Sequence, residues 1–288
     1  MSSQASRIGA DVLDIWVNLV TPKSAAQFLG QPENAHIPGY LGGDGSAGVG
    51  VDALLKVMDD EGVATGILTT GLDRGGAEAM LEVADTHPGR FLVCAVLGEK
   101  LRPTRDVARI RELAAHPRFS LLRVTPLATQ VPINDARHYP VYQICEELGI
   151  PVAINVGIPG PRVRSRVQHP ELLEDVMIDF PDLVIIGAHM GHPYEELLMN
   201  YMRKWPNLYL SCTAYAPRYF DPALVRFMNT KAFRGRVIWG SDEPWFPMQR
   251  SLAEARGLPI DEEAMALFLG GSARRLLDRT VRGAVPAE

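Results

Sequence analysis

Two side chains in this sequence combine proton chemistry with a telling position. His189 follows the apolar run Leu183–Ala188, and Asp242 follows the run Arg236–Trp239. An imidazole titrates near neutrality and a carboxylate can orient it or share its proton, so together they read as a general acid/base pair. Taken singly, each has a plainer reading. A histidine ending a strand is usually a satisfied polar group, and Gly240-Ser241-Asp242 can serve only as a helix N-cap. Their shared placement at strand ends is what favours catalysis. Arginine supplies a second chemistry. Arg123 ends the run Ser120–Val124, and a guanidinium closing a buried strand needs an anionic partner. Its planar fork suits carboxylate or phosphate. Arg218, after the seventh strand, is a further anion-binding candidate, whereas Arg164 and Arg166 read as parts of a solvated loop. His192, followed by Pro193, is a substrate-binding candidate whose plainer reading is structural.

What must position these groups is a regular alternation of strands and helices. The strands read as Val12–Leu19, Val63–Thr69, Phe91–Val96, Ser120–Val124, Val152–Val156, Leu183–Ala188, Leu208–Cys212 and Arg236–Trp239. Helical patterns fall at Val51–Glu61, Gly76–Asp85, Arg105–Ala115, Tyr139–Leu148, Pro170–Phe180, Tyr194–Trp205, Pro222–Asn229 and Pro247–Ala255, with two more near Asp261–Leu269 and Ala273–Leu277. Runs such as Val184-Ile185-Ile186-Gly187-Ala188 fit strands buried on both faces, as parallel sheets require. Eight strand–helix units without a linker-like gap predict an α/β fold, a single-domain (β/α)8 TIM barrel over residues 1–288. The alternative, a doubly wound open sheet, lacks its usual Gly-x-Gly-x-x-Gly after any strand. In a barrel the active site sits at the C-terminal strand ends. Trp16, Asn18, Thr69, Thr70, Arg123, Thr125, Asn155, His189, Ser211 to Thr213 and Ser241 to Glu243 fall there. Residues 22–50, rich in Gly, Pro and Asn, read as a long loop after the first strand, a lid over the mouth in preference to plain disorder.

Composition narrows the function classes. With 288 residues, 47% of them hydrophobic, the chain can bury a large core as one domain. No stretch approaches 18 uninterrupted apolar residues, so no membrane span is expected. Met1–Ala10 holds one Arg and no apolar core, which argues against a secretory signal. The three cysteines, Cys94, Cys145 and Cys212, stand isolated in apolar runs and read as reduced thiols in a cytoplasmic protein. A net charge of -5 without a basic run makes nucleic acid a poor partner. The expected partner is a small anionic or aromatic substrate; a homo-oligomer is compatible with the sequence.

Longer motifs carry a family resemblance over nearly the whole chain. They are Pro132-Ile133-Asn134-Asp135 with Tyr139-Pro140, Gly149-Ile150-Pro151-Val152, Gly187-Ala188-His189-Met190-Gly191-His192-Pro193, Trp205-Pro206-Asn207-Leu208-Tyr209, Gly240-Ser241-Asp242-Glu243-Pro244 and Gly271-Ser272-Ala273-Arg274-Arg275-Leu276. Together these resemble the amidohydrolase-related family that includes aminocarboxymuconate-semialdehyde decarboxylase, with Ser272 where Asn is usual. Ala214-Tyr215-Ala216-Pro217-Arg218-Tyr219-Phe220 also resembles a subgroup of hydrolases that cleave C–C bonds of aryl β-ketoacyl-CoA thioesters. The resemblance implies that Asp242 matches the metal-binding aspartate and His189 the histidine that activates water or protonates substrate. The family's first-strand His-x-His falls on Trp16 and Asn18, and its fifth-strand His on Asn155. Three of four usual ligands are thus replaced by groups that bind zinc poorly or not at all. The expectation is a site with no metal and no cofactor, with a hard cation on Asp242, Asn18 and Asn155 left open. Freed from coordination, Asp242 can accept a proton, Asn18 and Asn155 can hold an oxyanion or carbonyl, and Trp16 can wall a planar substrate or merely plug the vacated space.

The leading expectation is a metal-independent hydrolase of a small acidic or aromatic carbonyl compound, cutting a C–C, lactone or ester bond. The alternatives are a carboxy-lyase of the same family and a degenerate barrel kept for binding. Retention of both His189 and Asp242 argues against pure binding.

Overall fold

In the computed structural model, which describes residues 12–41, 47–73 and 75–281, the eight apolar runs become eight strands. They are β1 (Leu13–Val17), β2 (Thr65–Gly71), β3 (Phe91–Val96), β4 (Phe119–Val124), β5 (Val152–Asn155), β6 (Ile185–Ala188), β7 (Leu208–Ser211) and β8 (Val237–Ile238). They neighbour one another in chain order, every ladder is parallel, and helices follow the strands to form a (β/α)8 barrel. The reading of Met1–Ala10, and residues 42–46 of the insertion, lie outside the described residues. No helix among the described residues is long and apolar enough to cross a membrane.

Side-chain alternation sorts the strands into two layers, except on β1, where the neighbours Ile15 and Trp16 both join the inner one. Leu68, Val93, Leu122, Val124, Val152, Ile154, Leu208 and Leu210 pack outward on the helices, in one continuous apolar layer. Leu13, Ile15, Ile67, Cys94, Leu121, Ala153, Ile186 and Ile238 fill the barrel. Ala273, Leu276 and Leu277 of the terminal helix Ser272–Val281 join that inner cluster. Arg274 of the same helix donates to Thr65, the first residue of β2. The helix therefore plugs the strands' starting ends and leaves their C-terminal ends for a site. Parity also places Arg123 on the inward side with Leu121, and Asn155 with Ala153.

Helix ends follow local chemistry. Val51–Glu61 stops at Gly62, whose φ of 72° suits glycine and whose N–H reaches the Met58 and Asp59 carbonyls. Pro222–Asn229 starts on Pro222 after Asp221, which accepts from the Ala223 N–H at 2.6 Å. The single helix expected near Asp261–Leu269 is instead Glu262–Ala266 followed by a π turn, Leu267–Gly271. The Phe268 carbonyl leaves the helical ladder to accept from Trp239 N at 2.9 Å, tying the turn to the end of β8.

The segment 22–50 differs from the expected loop. Thr21 and Ser24 form a reciprocal capping box around Pro22, and a helix runs from Pro22 to Leu29. A short helix, Pro38–Leu41, follows. Phe28 lies 4.8 Å from the Trp245 ring beyond β8, and the carbonyls of Glu33 and Gly160 meet Arg162 N and His36 Nε2 at 3.0 Å. The insertion thus packs on the segments that follow β5 and β8.

β1 and β8 meet without a ladder. One bridge joins Val17 to Glu243, Asn18 N donates to the Glu243 carbonyl at 2.9 Å, and Asp242 N donates to the Trp16 carbonyl at 3.0 Å. The β1–β2 register also shifts between Asp14 and Val17.

Candidate active site

The C-terminal strand ends gather the strained backbone of the barrel. His189 and Met190 after β6, Ala214 after β7 and Asp242 after β8 all have positive φ, between 54° and 82°. Such conformations cost about 1–3 kcal/mol each in non-glycine residues and persist where surrounding contacts over-determine them, which marks sites.

Trp16 is the centre of the arrangement. The Arg123 guanidinium stacks on its ring, the His189 ring meets it edge-on at 4.9 Å, and its indole N–H donates to Asp242. His189 and Asp242 therefore share an indole; no hydrogen bond joins them directly. What orients His189 is the Thr213 carbonyl, 2.8 Å from Nδ1. A carbonyl only accepts, so Nδ1 carries the proton and Nε2 keeps its lone pair. Burial, and then the positive charge of Arg123, push His189 down to about 4, with the Thr213 bond opposing. The imidazole is neutral at physiological pH, a base with an open nitrogen.

Asp242 shifts the other way. Burial raises it to about 6, against the lowering effects of Arg123, Asn18 and the Trp16 indole. Asn18 Nδ2 spends its N–H groups on Asp242 Oδ1 at 2.9 Å and the Glu243 carbonyl at 3.0 Å. Its Oδ1 is what remains for a ligand.

Arg123 is a buried cation with little company. It is 6% exposed, Nη1 donates to Thr69 Oγ1 at 3.1 Å, and Nε is buried with no acceptor. Burial lowers its pKa to about 9, opposed by Cys94 and Asp242. Asn155 is also buried, and its Oδ1 has no partner. His192 stands at the rim, Nδ1 at 2.7 Å from Glu195 Oε1 and 3.0 Å from the Tyr215 hydroxyl. Arg218 does not join the cluster. It pairs with Glu254 at 3.2 Å and lines an outer hollow of about 510 Å³ with Phe220 and Leu258. Arg162, Arg164 and Arg166 are exposed.

Sequence reasoning passed over Asp14. It is fully buried on β1 and bonds across the seam to Ser241. A lone aspartate inside the apolar run Val12-Leu13-Asp14-Ile15 was the available signal, since an ionisable group is seldom buried without partners.

The donors present do not suit a divalent metal ion. Asp242 accepts from an amide N–H and an indole N–H, and a guanidinium lies on the neighbouring ring where a cation would otherwise be drawn. Among the described residues, no three His, Cys, Asp or Glu side chains are grouped to hold a metal ion.

This geometry defines a TIM-barrel chain with its polar cluster at the C-terminal mouth. A family model described as Amidohydrolase matches residues 16–279, and the chain belongs to that family. No curated protein matches it. An uncharacterized TIM-barrel protein from Bordetella bronchiseptica superposes with a TM-score of 0.78 at 22% identity, over 93% of this chain and 99% of that one. 5-Carboxyvanillate decarboxylase from Sphingomonas paucimobilis gives 0.72 at 17% identity, over 93% and 99%. A dihydroxybenzoic acid decarboxylase from Polaromonas sp. JS666, solved with bound manganese, gives 0.72 at 14%, over 93% and 97%. The expected fold and family resemblance are both borne out.

Proposed function

We propose that the chain is a metal-independent hydrolase of a small planar carbonyl compound bearing a carboxylate. The observation that carries this reading is Arg123, a buried guanidinium on an indole face with one hydrogen bond, beside a neutral histidine whose Nε2 is open. Arg123 binds the anion or the developing oxyanion, and Trp16, buried beneath the guanidinium, holds it at the apolar wall of the substrate site. His189 Nε2 takes a proton from water as the water oxygen bonds to the carbonyl carbon. The scissile C–C, lactone or ester bond then breaks, and the leaving group takes up that proton. Asp242, held by Asn18, is the second proton acceptor. His192 with Glu195 and Tyr215 contacts the substrate at the rim, and Asn155 Oδ1 accepts from a substrate hydroxyl.

A carboxy-lyase is the second reading. The decarboxylases among the similar structures favour it, as does Asp242, which at about 6 can protonate a carbon that loses CO2. Turnover of candidate aromatic acids, β-keto acids and their esters in H2¹⁸O and in D2O separates the two. Hydrolysis places ¹⁸O in a product carboxylate. Decarboxylation releases CO2 and places deuterium on the vacated carbon; this result alone would overturn the hydrolase reading. Stoichiometric zinc or manganese after dialysis without chelator would overturn metal independence.

A further inference from the structure

The barrel's weakest join lies directly below its proton-transfer groups. β8 is two residues long and has no ladder to β1, so backbone pairing across the join comes down to the Val17–Glu243 bridge and two bonds, Asp242 N to the Trp16 carbonyl and Asn18 N to the Glu243 carbonyl. A buried side chain crosses that join. Asp14 Oδ1 accepts from Trp16 N at 2.9 Å on its own strand and from Ser241 N at 3.0 Å on the other side. Asp14 Oδ2 accepts from Ser241 Oγ at 2.5 Å and Ser241 N at 3.1 Å. Ser241 Oγ in turn accepts from Glu243 N at 2.9 Å, so the chain of bonds runs beneath Asp242 on both sides. Asp14 and Ser241 are wholly buried.

We infer that Asp14 is a positioning residue: one carboxylate accepts from both sides of the β8–β1 seam and sets the Trp16 indole against Asp242. It touches neither the reacting atoms nor Arg123; it acts through Ser241 and the Trp16 backbone. The inference extends the proposed reading of Trp16 and Asp242 as site residues and rests on it. A carboxyl group suits the task because its two oxygens together accept from two backbone N–H groups and one hydroxyl. Asparagine keeps the acceptor for the two backbone N–H groups and loses the one for the Ser241 hydroxyl. Alanine loses both.

The test uses the full-length chain and the indole ¹H–¹⁵N resonance of Trp16, assigned by its loss in Trp16→Phe. In Asp14→Ala and Ser241→Ala that resonance is expected to move toward the position of a free indole. The Trp205 resonance, from a ring packed on Tyr201 outside the barrel, is expected to stay in place. Benzoate, as a planar carboxylate probe, is expected to bind about tenfold more weakly to Asp14→Ala, and Asp14→Asn to recover part of both signals. If Asp14→Ala does not fold, Ser241→Ala carries the measurement, since it removes one hydroxyl. A Trp16 resonance unmoved in the folded variants would overturn the inference, as would Trp16 and Trp205 moving together. Wild-type protein that fails to bind benzoate would count against the anion reading alone, and the indole signal would still decide the role of Asp14.

Discussion

The charge on Arg123 should let the site tell an acid from its ester. Hydrogen bonds to charged groups are worth about 1.5–3 kcal/mol, so Arg123→Met should weaken benzoate binding roughly 10- to 100-fold and leave methyl benzoate nearly unaffected. Because a buried charge is exchanged for an apolar side chain, the variant's melting temperature should hold or rise. Isothermal titration of both ligands with a thermal melt checks this; equal losses for acid and ester would make the guanidinium structural. A second expectation concerns Asp242 and His189. With His189 neutral above about 4, the limb near neutrality belongs to Asp242 at about 6. If Asp242 accepts a proton, kcat rises through pH 6 and levels off; if it donates one, kcat falls above pH 6. Asp242→Asn should remove the limb in either case. Much of this cluster was legible. Strand parity alone puts Arg123 and Asn155 inside, and His189 and Asp242 fall at strand ends. Two relations were not. Sequence suggests that an acid and a base at one mouth hold each other, whereas Thr213 holds the histidine and Trp16 stands between them. Asp14 was hidden because only the seam shows what lies opposite it.

Among elements, the turns after β5 and β6 are the least forgiving. Gly157 has φ 88°, and a Cβ there would sit 2.5 Å from the Gly191 backbone carbon and 2.6 Å from the His192 carbonyl oxygen. Backbone strain and overpacking together should make Gly157→Ala cost about 2–5 kcal/mol. The clash falls on the turn that carries His189 and His192, so activity should fall as well. Urea unfolding checks the first part, and a loss below about 1 kcal/mol would show that these turns yield. All eight strands and most helices lay within a few residues of their sequence-read positions, because parallel strands buried on both faces leave long apolar runs. Two features did not show. The helix Pro22–Leu29 sits in a segment whose Gly and Pro content suggests a loop, although Thr21-Pro22 with Ser24 was a start signal. The β8–β1 seam is invisible to periodicity, since its bonds come from residues on either side of a two-residue strand.

For the molecule as a whole, the site places opposed ionisable groups in the core, and folding stability should record them. Burial raises Asp14 to about 7 and Asp242 to about 6, and also raises Glu243. A carboxyl raised on folding keeps its proton in the native state after the unfolded chain has released it. Its contribution is present at low pH and is lost as pH climbs from about 4 to the folded value. Histidines depressed on folding have the opposite sign. His189 and His138, both near 4 when folded, contribute fully above about 6.5 and lose that contribution as pH falls through 4. Between about pH 4 and 6 the two sets oppose each other, and stability should change little. Above about 6.5 the histidines add nothing more while Asp14 is still being forced to ionise in the seam, so stability should decline until about pH 7 and then level off. Asp14→Asn removes the carboxyl that titrates last. It should be less stable than the parent at pH 5, because the Ser241 hydroxyl loses its acceptor, yet it should show a flatter decline from about pH 6 to 7. Calorimetric melts of both proteins at half-unit steps between pH 4 and 8 measure the two slopes. Parallel curves above pH 6 would mean that Asp14 is already ionised in the folded protein at neutral pH, with its hydrogen bonds from Ser241 and Trp16 outweighing its burial.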